Sequence, residues 1–234
     1  MLPVREKVPH VAVRIRFEKT GALQYISHLD LHRTFCRLFV RKGVPVWYSE
    51  GFTPHPRLVF ATPLSVGAES LCEYLDVFIV GSAETVDPDV LRWKLTESDI
   101  DGLKVTAVYF PETKFSTITD SDYIIRIRTA GADAALAARC NEVLQRSPLT
   151  ILKRTKSGEK DVDISPQIRS AKVELEGDCL VLRARLCADS TSFLNPEYLV
   201  KVLKAECGIL SGNPTEEEYS ILRTAVLCGE KDFR

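Results

Sequence analysis

The order of predicted strands and helices is the feature that most restricts the fold of this chain. Residues 10–17 (HVAVRIRF) alternate apolar and polar side chains, the pattern of a half-buried strand. Ser27 then marks the start of a helix that we expect to end near Lys42. The remaining elements of the first half of the chain are predicted as strands at 58–61 and 73–80, a helix opened by Asp87-Pro88, and a strand at 103–110. The order β-α-β-β-α-β is the ferredoxin-like arrangement.

The same order recurs in the second half, without a visible sequence repeat. Its predicted elements are a strand at 123–128, a helix at 132–144, strands at 149–153, 162–164, 171–175 and 180–186, a helix at 195–207 and a strand at 219–227. One pair of these strands is an extra hairpin. The predicted fold class is therefore α+β, with two ferredoxin-like halves built on antiparallel sheets.

A polar, irregular stretch at 113–121 (TKFSTITDS) predicts a linker between the halves. We therefore expect a first domain over residues 1–112 and a second over 122–234. A chain of 234 residues is long enough for two domains of about 100 residues each.

Composition excludes several classes of protein. The formal net charge is −1, so any electrostatic binding must depend on local patches. The seven cysteines are scattered without CxxC or CxxxCxxC spacing, which argues against a disulfide framework, a zinc knuckle and a cysteine-ligated cluster. The first residues lack the apolar core of a signal peptide, and no apolar run is long enough to span a bilayer. We expect a cytoplasmic protein without a cofactor, a metal or a membrane segment.

The stretch from Tyr25 to Gly67 is the most informative part of the sequence. On its predicted helix, Leu31, Phe35, Leu38 and Phe39 form the apolar stripe. A second face carries a basic residue at every fourth position, namely Arg33, Arg37 and Arg41. Between Arg14 and Arg57 the sequence has eight basic and three acidic residues, a local excess of positive charge.

The loop at 49–56 (SEGFTPHP) is stiffened by two prolines, which fix the backbone and remove donors. Such a loop is a good scaffold for exposed Phe52, His55 and Arg57, with Tyr48 just before it. Planar side chains among basic residues are typical of surfaces that bind single-stranded RNA. A second basic cluster, Lys153, Arg154 and Lys156, lies at the turn of the predicted hairpin. The alternative is that these are ordinary solvated or core residues.

The histidines could serve two kinds of chemistry. His28 and His32 are four residues apart on the predicted helix, so both could bind one metal ion, with His55 as a third ligand. Because the HExxH motif is absent, we do not predict a metal site. A metal-independent ribonuclease needs little more than a histidine near a phosphate, and His28 or His55 could supply it. No nucleophile elbow, P-loop or dinucleotide-binding motif is present.

Several blocks of the chain resemble one known family. These blocks are YISHLDLHRTF, YSEGFTPHPRLVFATPLSVGAES, EYLDVFI, KRTKSGEKDVDISP and ILRTAVL. They are similar, in the same order, to the radical-SAM-linked family, a domain of unknown function (DUF2344). The residues of this chain that match the family's motifs are His28, Asp30, Gly51, Pro54, Pro56 and Arg57.

The resemblance implies a partner, a radical SAM protein encoded nearby or fused to the chain. Because this chain lacks the cysteine triad of a radical SAM enzyme, the resemblance implies an accessory role. We therefore expect a non-catalytic module that binds RNA or another anionic substrate. The alternatives are the ribonuclease using His28 or His55, and a protein-interaction subunit of the radical SAM partner.

Overall fold

The computed structural model describes residues 8–96, 99–155 and 158–234, without the side chains of 154 and 155. The chain divides into two compact units. Unit 1 comprises the chain up to Val66, Ser70–Phe115 and Arg234, and unit 2 comprises Gly67–Glu69 and Ser116–Phe233. The division into domains by a linker at 113–121 stays a prediction.

Unit 1 has the β-α-β-β-α-β order. Its elements are β1 (His10–Lys19), α1 (His28–Arg41), β2 (Leu58–Phe60), β3 (Ala68–Val80), α2 (Pro88–Thr96) and β4 (Leu103–Tyr109). The strands lie in the order β4-β1-β3-β2, and each neighbouring pair is antiparallel. This is the ferredoxin-like arrangement that the sequence predicts.

Helix α1 begins at a capping box. The Ser27 hydroxyl accepts a hydrogen bond from the Asp30 backbone N–H at 3.2 Å and donates one to the Asp30 carboxylate at 2.7 Å. The helix ends at Arg41, and Gly43 then adopts φ +60°, a conformation that favours glycine. Leu31, Phe35, Leu38 and Phe39 are its buried residues, which confirms the predicted stripe.

The sheet of unit 1 has one face covered by the helices and one face without them. Val13, Ile15 and Phe17 of β1 point into the helical side, where the Phe17 ring meets Phe35 of α1 edge to face at 4.8 Å. Alternate residues of a strand point to opposite faces. Ala12, Arg14 and Arg16 therefore belong to the other side, which we call the open face.

Unit 2 repeats the arrangement with an insertion. Its elements are β5 (Asp120–Arg128), α3 (Ala134–Leu144), β6 (Thr150–Thr155), β7 (Gly158–Asp163), β8 (Ile168–Glu176), β9 (Cys179–Cys187), α4 (Glu197–Cys207), β10 (Glu218–Cys228) and β11 (Lys231–Asp232). The antiparallel order is β10-β5-β9-β8, with β11 on β10. The predicted extra hairpin is β6 with β7, between α3 and β8.

The α+β class with antiparallel sheets is thus confirmed, while some strand starts differ from the prediction. Strand β3 begins at Ala68 rather than residue 73, because small residues such as Ala68 and Ser70 are buried there without an apolar pattern. Strand β7 begins at Gly158 rather than 162, where pairing with β6 holds polar residues in the ladder. Among the described residues, no helix is both long and apolar enough to cross a bilayer.

Candidate functional site

The basic residues predicted on α1 lie on its exposed side. Arg33 forms an ion pair with Asp30 at 3.3 Å, and Arg41 approaches Asp99 at 3.9 Å. Arg37 is exposed between them, and no carboxylate of the described chain pairs with it. The hydrogen bond from Ser27 is the main cause that lowers the pKa of Asp30, so this carboxylate stays charged beside the helix start.

The histidines predicted as candidates lie near one another at one end of α1. The His28 ring meets Phe60 edge to face at 4.8 Å, and His32 Nδ1 lies 3.6 Å from Cys36 Sγ. Burial lowers the pKa of His32, and the charges of His28 and His55 lower it further. Among the described residues, no three His, Cys, Asp or Glu side chains form a group that could hold a metal ion.

The proline-flanked loop is ordered by its own hydrogen bonds. Ser49 N–H donates to the His55 carbonyl at 2.9 Å, and the His55 N–H donates back to the Ser49 hydroxyl at 3.2 Å. His55 Nδ1 lies 3.0 Å from the same hydroxyl. Phe52 projects fully exposed from the tip, and Tyr48 is also exposed where it bridges to Pro56. The remaining motif residues, Gly51 and Pro54, are exposed in this loop.

The open face of unit 1 carries four planar groups, each in contact with the next. The guanidinium of Arg57 lies 4.4 Å from the centre of the Phe78 ring. His10 meets Phe78 at 5.7 Å, and Trp47 stacks on His10 at 4.2 Å with an interplanar angle of 24°. Arg57, Phe78, His10 and Trp47 therefore form one row, which we call the aromatic row.

Arg14 and Arg16 lie on the open face beyond the aromatic row, and Arg14 is buried there. Arg14 binds both carboxylate oxygens of Asp76, and its guanidinium lies 4.3 Å from the centre of the Phe115 ring. The Arg16 Nε and the Tyr109 hydroxyl are buried atoms without a hydrogen-bond partner in the described structure. Burial is the main cause that raises the pKa of Tyr109, so this hydroxyl keeps its proton.

The structure therefore distributes the predicted residues of unit 1 over two sides of the sheet. Arg33, Arg37 and Arg41 belong to the helical side. Arg57 belongs to the open face, because its partner Phe78 alternates with the buried Val77 and Ile79 of β3. These four arginines therefore do not form one compact patch.

The basic hairpin of unit 2 borders a cavity of about 440 Å³ between β6 and α4. Tyr198 lines this cavity, and the ammonium groups of Lys153 and Lys201 lie 5.8 Å and 5.2 Å from its ring centre. The side chain of Arg154 and the whole of Lys156 lie outside the described residues. Of the three predicted hairpin residues, only Lys153 therefore has a described side-chain position.

Sequence reasoning missed Phe78 and His10 as parts of a surface. The available signal was the second face of the strands, on which Ala12, Arg14 and Arg16 alternate with core residues. Tyr198 and Lys201 were also missed, because the helix that carries them is separated from the hairpin in sequence and only packing brings them together.

The described residues form an α+β protein with antiparallel strands, and basic and aromatic side chains such as Arg37, Arg57 and Phe52 are exposed on it. A family model described as "Uncharacterized protein conserved in bacteria (DUF2344)" matches residues 12–196. The chain belongs to this family. None of the curated proteins compared with the chain matches it.

Two solved structures show some similarity to the chain. A chain of the crystal structure of a Cbf5-Nop10-Gar1 complex is 10% identical with a TM-score of 0.46, covering 92% of this chain and 48% of that one. This chain thus spans about half the length of that chain. A proposed glycine cleavage system transcriptional repressor is 12% identical with a TM-score of 0.22, covering 91% of this chain and 96% of that one.

Proposed function

We propose that the chain is a non-catalytic module that binds single-stranded RNA and works with a separate radical SAM protein. The observation that carries the RNA-binding proposal is the aromatic row on the open face of unit 1. Arg57 supplies a positive charge and a planar group, and Trp47 and His10 supply stacked rings. Stacking of bases on planar side chains beside cationic groups is how many proteins bind single strands without reading each base.

The exposed arginines of α1 support the same ligand class. Arg37 has no carboxylate partner in the described chain, and Arg33 and Arg41 form only exposed ion pairs. Exposed pairs contribute about 0–1 kcal/mol, so a phosphate can replace the carboxylate at little cost. In unit 2, Lys153 and Lys201 beside Tyr198 offer the same combination of charge and ring.

Binding is tested by fluorescence anisotropy with a labelled U-rich oligonucleotide over a series of salt concentrations. We expect affinity to fall with salt, and Arg57→Gln to reduce both affinity and the salt slope, by about 0.7 for each phosphate that the variant no longer neutralises. Arg92→Gln is the matched control, because Arg92 is an exposed arginine of α2 that pairs with Asp89. Absence of salt-dependent binding, or equal effects of both substitutions, would contradict the proposal.

The radical SAM partnership rests on the resemblance of the segments around His28 and Arg57 to the radical-SAM-linked family. It is tested by co-expressing the chain with the neighbouring radical SAM protein and isolating the tagged chain. Recovery of that protein at near-equal amounts supports the partnership, and its absence at low and at high salt argues against it. RNA in the same eluate would identify the substrate class directly.

A second candidate is a metal-independent ribonuclease. It is favoured by one observation: His28 and His55 are close enough to His32 that their charges add to the effect of burial in lowering the pKa of His32. Cleavage of RNA by pure protein in the presence of a chelator, abolished in His28→Ala or His55→Ala, would support this activity. If the RNA stays intact under those conditions, the ribonuclease hypothesis is wrong.

A third candidate is a protein-interaction subunit that does not contact substrate. The fully exposed Phe52 favours it, because aromatic side chains are enriched at the core of protein–protein interfaces. If Phe52→Ser abolishes recovery of the radical SAM protein and leaves RNA affinity unchanged, the loop tip is a protein contact. If Phe52→Ser instead weakens RNA binding and leaves recovery of the radical SAM protein unchanged, Phe52 contacts RNA.

A further inference from the structure

The outer backbone edge of β6 borders the cavity of about 440 Å³ in unit 2. Among the described strands, β6 pairs only with β7. Leu149 continues that register opposite Ile164, whose N–H donates to the Leu149 carbonyl at 2.9 Å. Backbone groups alternate in direction along an antiparallel strand. The N–H and C=O groups of Thr150 and Leu152 therefore point away from β7, to the outer edge of β6.

The cavity beside this edge has the form of a groove with two walls. One wall is the consecutive segment 148–152, which leads into β6. The other wall is a single face of α4, formed by Tyr198, Lys201, Val202, Ala205 and Glu206. The four steps of the strand wall span about 13 Å. The eight steps from Tyr198 to Glu206 span about 12 Å. The groove is therefore as long as about four residues of an extended chain.

The lining of the groove combines apolar side chains with a positive charge. The apolar residues are Leu149, Ile151, Leu152, Val202 and Ala205. The ammonium groups of Lys153 and Lys201 lie 5.8 Å and 5.2 Å from the centre of the Tyr198 ring. Arg146 also lines the groove, but it pairs with Glu206 at 2.9 Å and this pair adds no net charge. The two lysines therefore give this surface its positive charge.

We propose that the groove binds an extended segment of a partner protein, which adds as a strand to the outer edge of β6 and places an acidic residue beside Lys153 and Lys201. In such complexes the main-chain hydrogen bonds supply affinity, and the contacts of alternate side chains supply specificity. Leu152, which is 60% exposed, packs against an apolar residue of the added strand. The inference goes beyond the proposed RNA binding and does not depend on it.

A peptide fits this edge better than RNA or a second copy of the chain does. The edge presents both N–H donors and C=O acceptors at Thr150 and Leu152. Phosphate oxygens only accept hydrogen bonds, so a phosphate chain satisfies the donors and not the carbonyls. A second copy of β6 would bring Lys153 of each chain into the same ladder, and like charges on paired strands repel.

The test selects ligands for the immobilised full chain from a phage-displayed library of random peptides of about eight residues, twice the length of the groove. We expect enriched sequences with alternating apolar residues and an aspartate or glutamate. A labelled synthetic copy of the strongest sequence is then titrated by fluorescence anisotropy. Its binding is compared between the wild-type chain and the variants below.

Leu152→Pro removes one donor of the outer edge and leaves the hydrogen bonds with β7 in place. It should weaken peptide binding by up to about tenfold, the effect of one hydrogen bond. Asp161→Pro is the matched control. Asp161 lies opposite Leu152 in the ladder, so its N–H points to the outer edge of β7. This variant should bind the peptide as the wild-type chain does.

Two further pairs of variants test the helix wall. Ala205→Trp fills the groove and should abolish binding, whereas Ala138→Trp adds the same bulk at an exposed position of α3 and should not. Lys201→Gln should weaken binding by about twofold to fivefold, the range of an exposed ion pair. Lys204→Gln is its control, because Lys204 is an exposed lysine of α4 outside the groove lining.

Hydrogen exchange followed by NMR tests the added strand directly. The bound peptide should slow exchange of the Thr150 and Leu152 amides, because it hydrogen-bonds to the edge. Peptide binding without this protection overturns strand addition. Failure to enrich any peptide, or enrichment only of peptides that Leu152→Pro and Ala205→Trp still bind, overturns the docking groove.

Two other results would assign the groove to another occupant and also overturn the proposal. If Ala205→Trp weakens binding of U-rich RNA and Ala138→Trp does not, the groove is part of an RNA surface. If the chain alone forms a dimer that Leu152→Pro dissociates and Asp161→Pro does not, as measured by light scattering, the edge pairs with a second copy.

Discussion

Arg14 holds Asp76 through two hydrogen bonds across the β1–β3 ladder, Nε to Oδ1 at 2.7 Å and an Nη to Oδ2 at 2.9 Å. Arg14 is 1% exposed, so its charge is balanced inside the protein rather than by water. Breaking such a pair from one side leaves a buried charge. We predict that Asp76→Asn lowers the free energy of unfolding by about 3 kcal/mol, measured by urea denaturation.

The matched control for this prediction is Glu18→Gln on the same strand as Arg14. Glu18 pairs with Lys104 at 3.2 Å, and this lysine is largely exposed. An exposed pair contributes about 0–1 kcal/mol, so the control should change stability by less than that. A destabilisation by Asp76→Asn no larger than the control's would mean that Arg14 finds an equal partner without the carboxylate.

Trp47 is a built-in reporter of the aromatic row. The chain has two tryptophans, and the other, Trp93, is exposed on α2. We predict that U-rich RNA quenches the fluorescence of a Trp93→Phe variant, because a base that joins the row stacks near the Trp47–His10 pair. The reciprocal Trp47→Phe variant, which reports only from Trp93, should show little quenching. Equal quenching of the two would place RNA elsewhere.

His32 makes the stability of the chain depend on pH. Burial and the neighbouring charges lower its pKa in the folded state, whereas the unfolded chain has the ordinary value of about 6.5. Below about pH 6.5 the unfolded chain therefore binds the proton more readily, so stability falls as the pH falls from there towards the lower folded pKa. We predict that His32→Gln flattens this part of the stability curve, measured by urea denaturation at several pH values.

The control for the pH prediction is Arg33→Gln on the same helix, which removes an exposed charge but no histidine. It should keep the slope of the wild-type curve. A His32→Gln variant with an unchanged slope would show that other groups account for the acid sensitivity.

The Cys140 thiol should be unreactive towards alkylating reagents in the folded chain. Burial, with the neighbouring Cys207, raises the pKa of the Cys140 thiol to about 12. At pH 8 only roughly one thiol in ten thousand is then a thiolate, the form that reacts with iodoacetamide. We predict that the half-buried Cys179 and Cys228 are alkylated before Cys140, which reacts only on unfolding, as followed by peptide mass spectrometry. Early labelling of Cys140 would contradict this.

Much of the fold could be predicted because local signals agreed with the tertiary structure. Alternation in β1, the Ser27–Asp30 capping box and the apolar stripe of α1 each mark an element that packing then uses unchanged. The starts of strands that lack such signals were not predicted correctly. Ala68 and Ser70 have low strand propensity, and only their pairing and burial make them part of β3.

The candidate site was less predictable, since it depends on which side of the sheet each residue occupies. The charge excess between Arg14 and Arg57 was visible, but its division between the helical side and the open face was not. Lys153 and Tyr198 gave no joint signal, because they lie far apart in the sequence and only packing brings the Lys153 ammonium within 5.8 Å of the Tyr198 ring centre.

The separation of Arg37 from Arg57 by the sheet of unit 1 has a consequence for ligand length. Strand β2, three residues long, is the outer strand in the order β4-β1-β3-β2. An RNA that contacts both arginines must pass around this edge or another margin of the sheet. Short oligonucleotides can occupy one side only, so affinity should rise in two stages as the strand is lengthened, with a plateau between them.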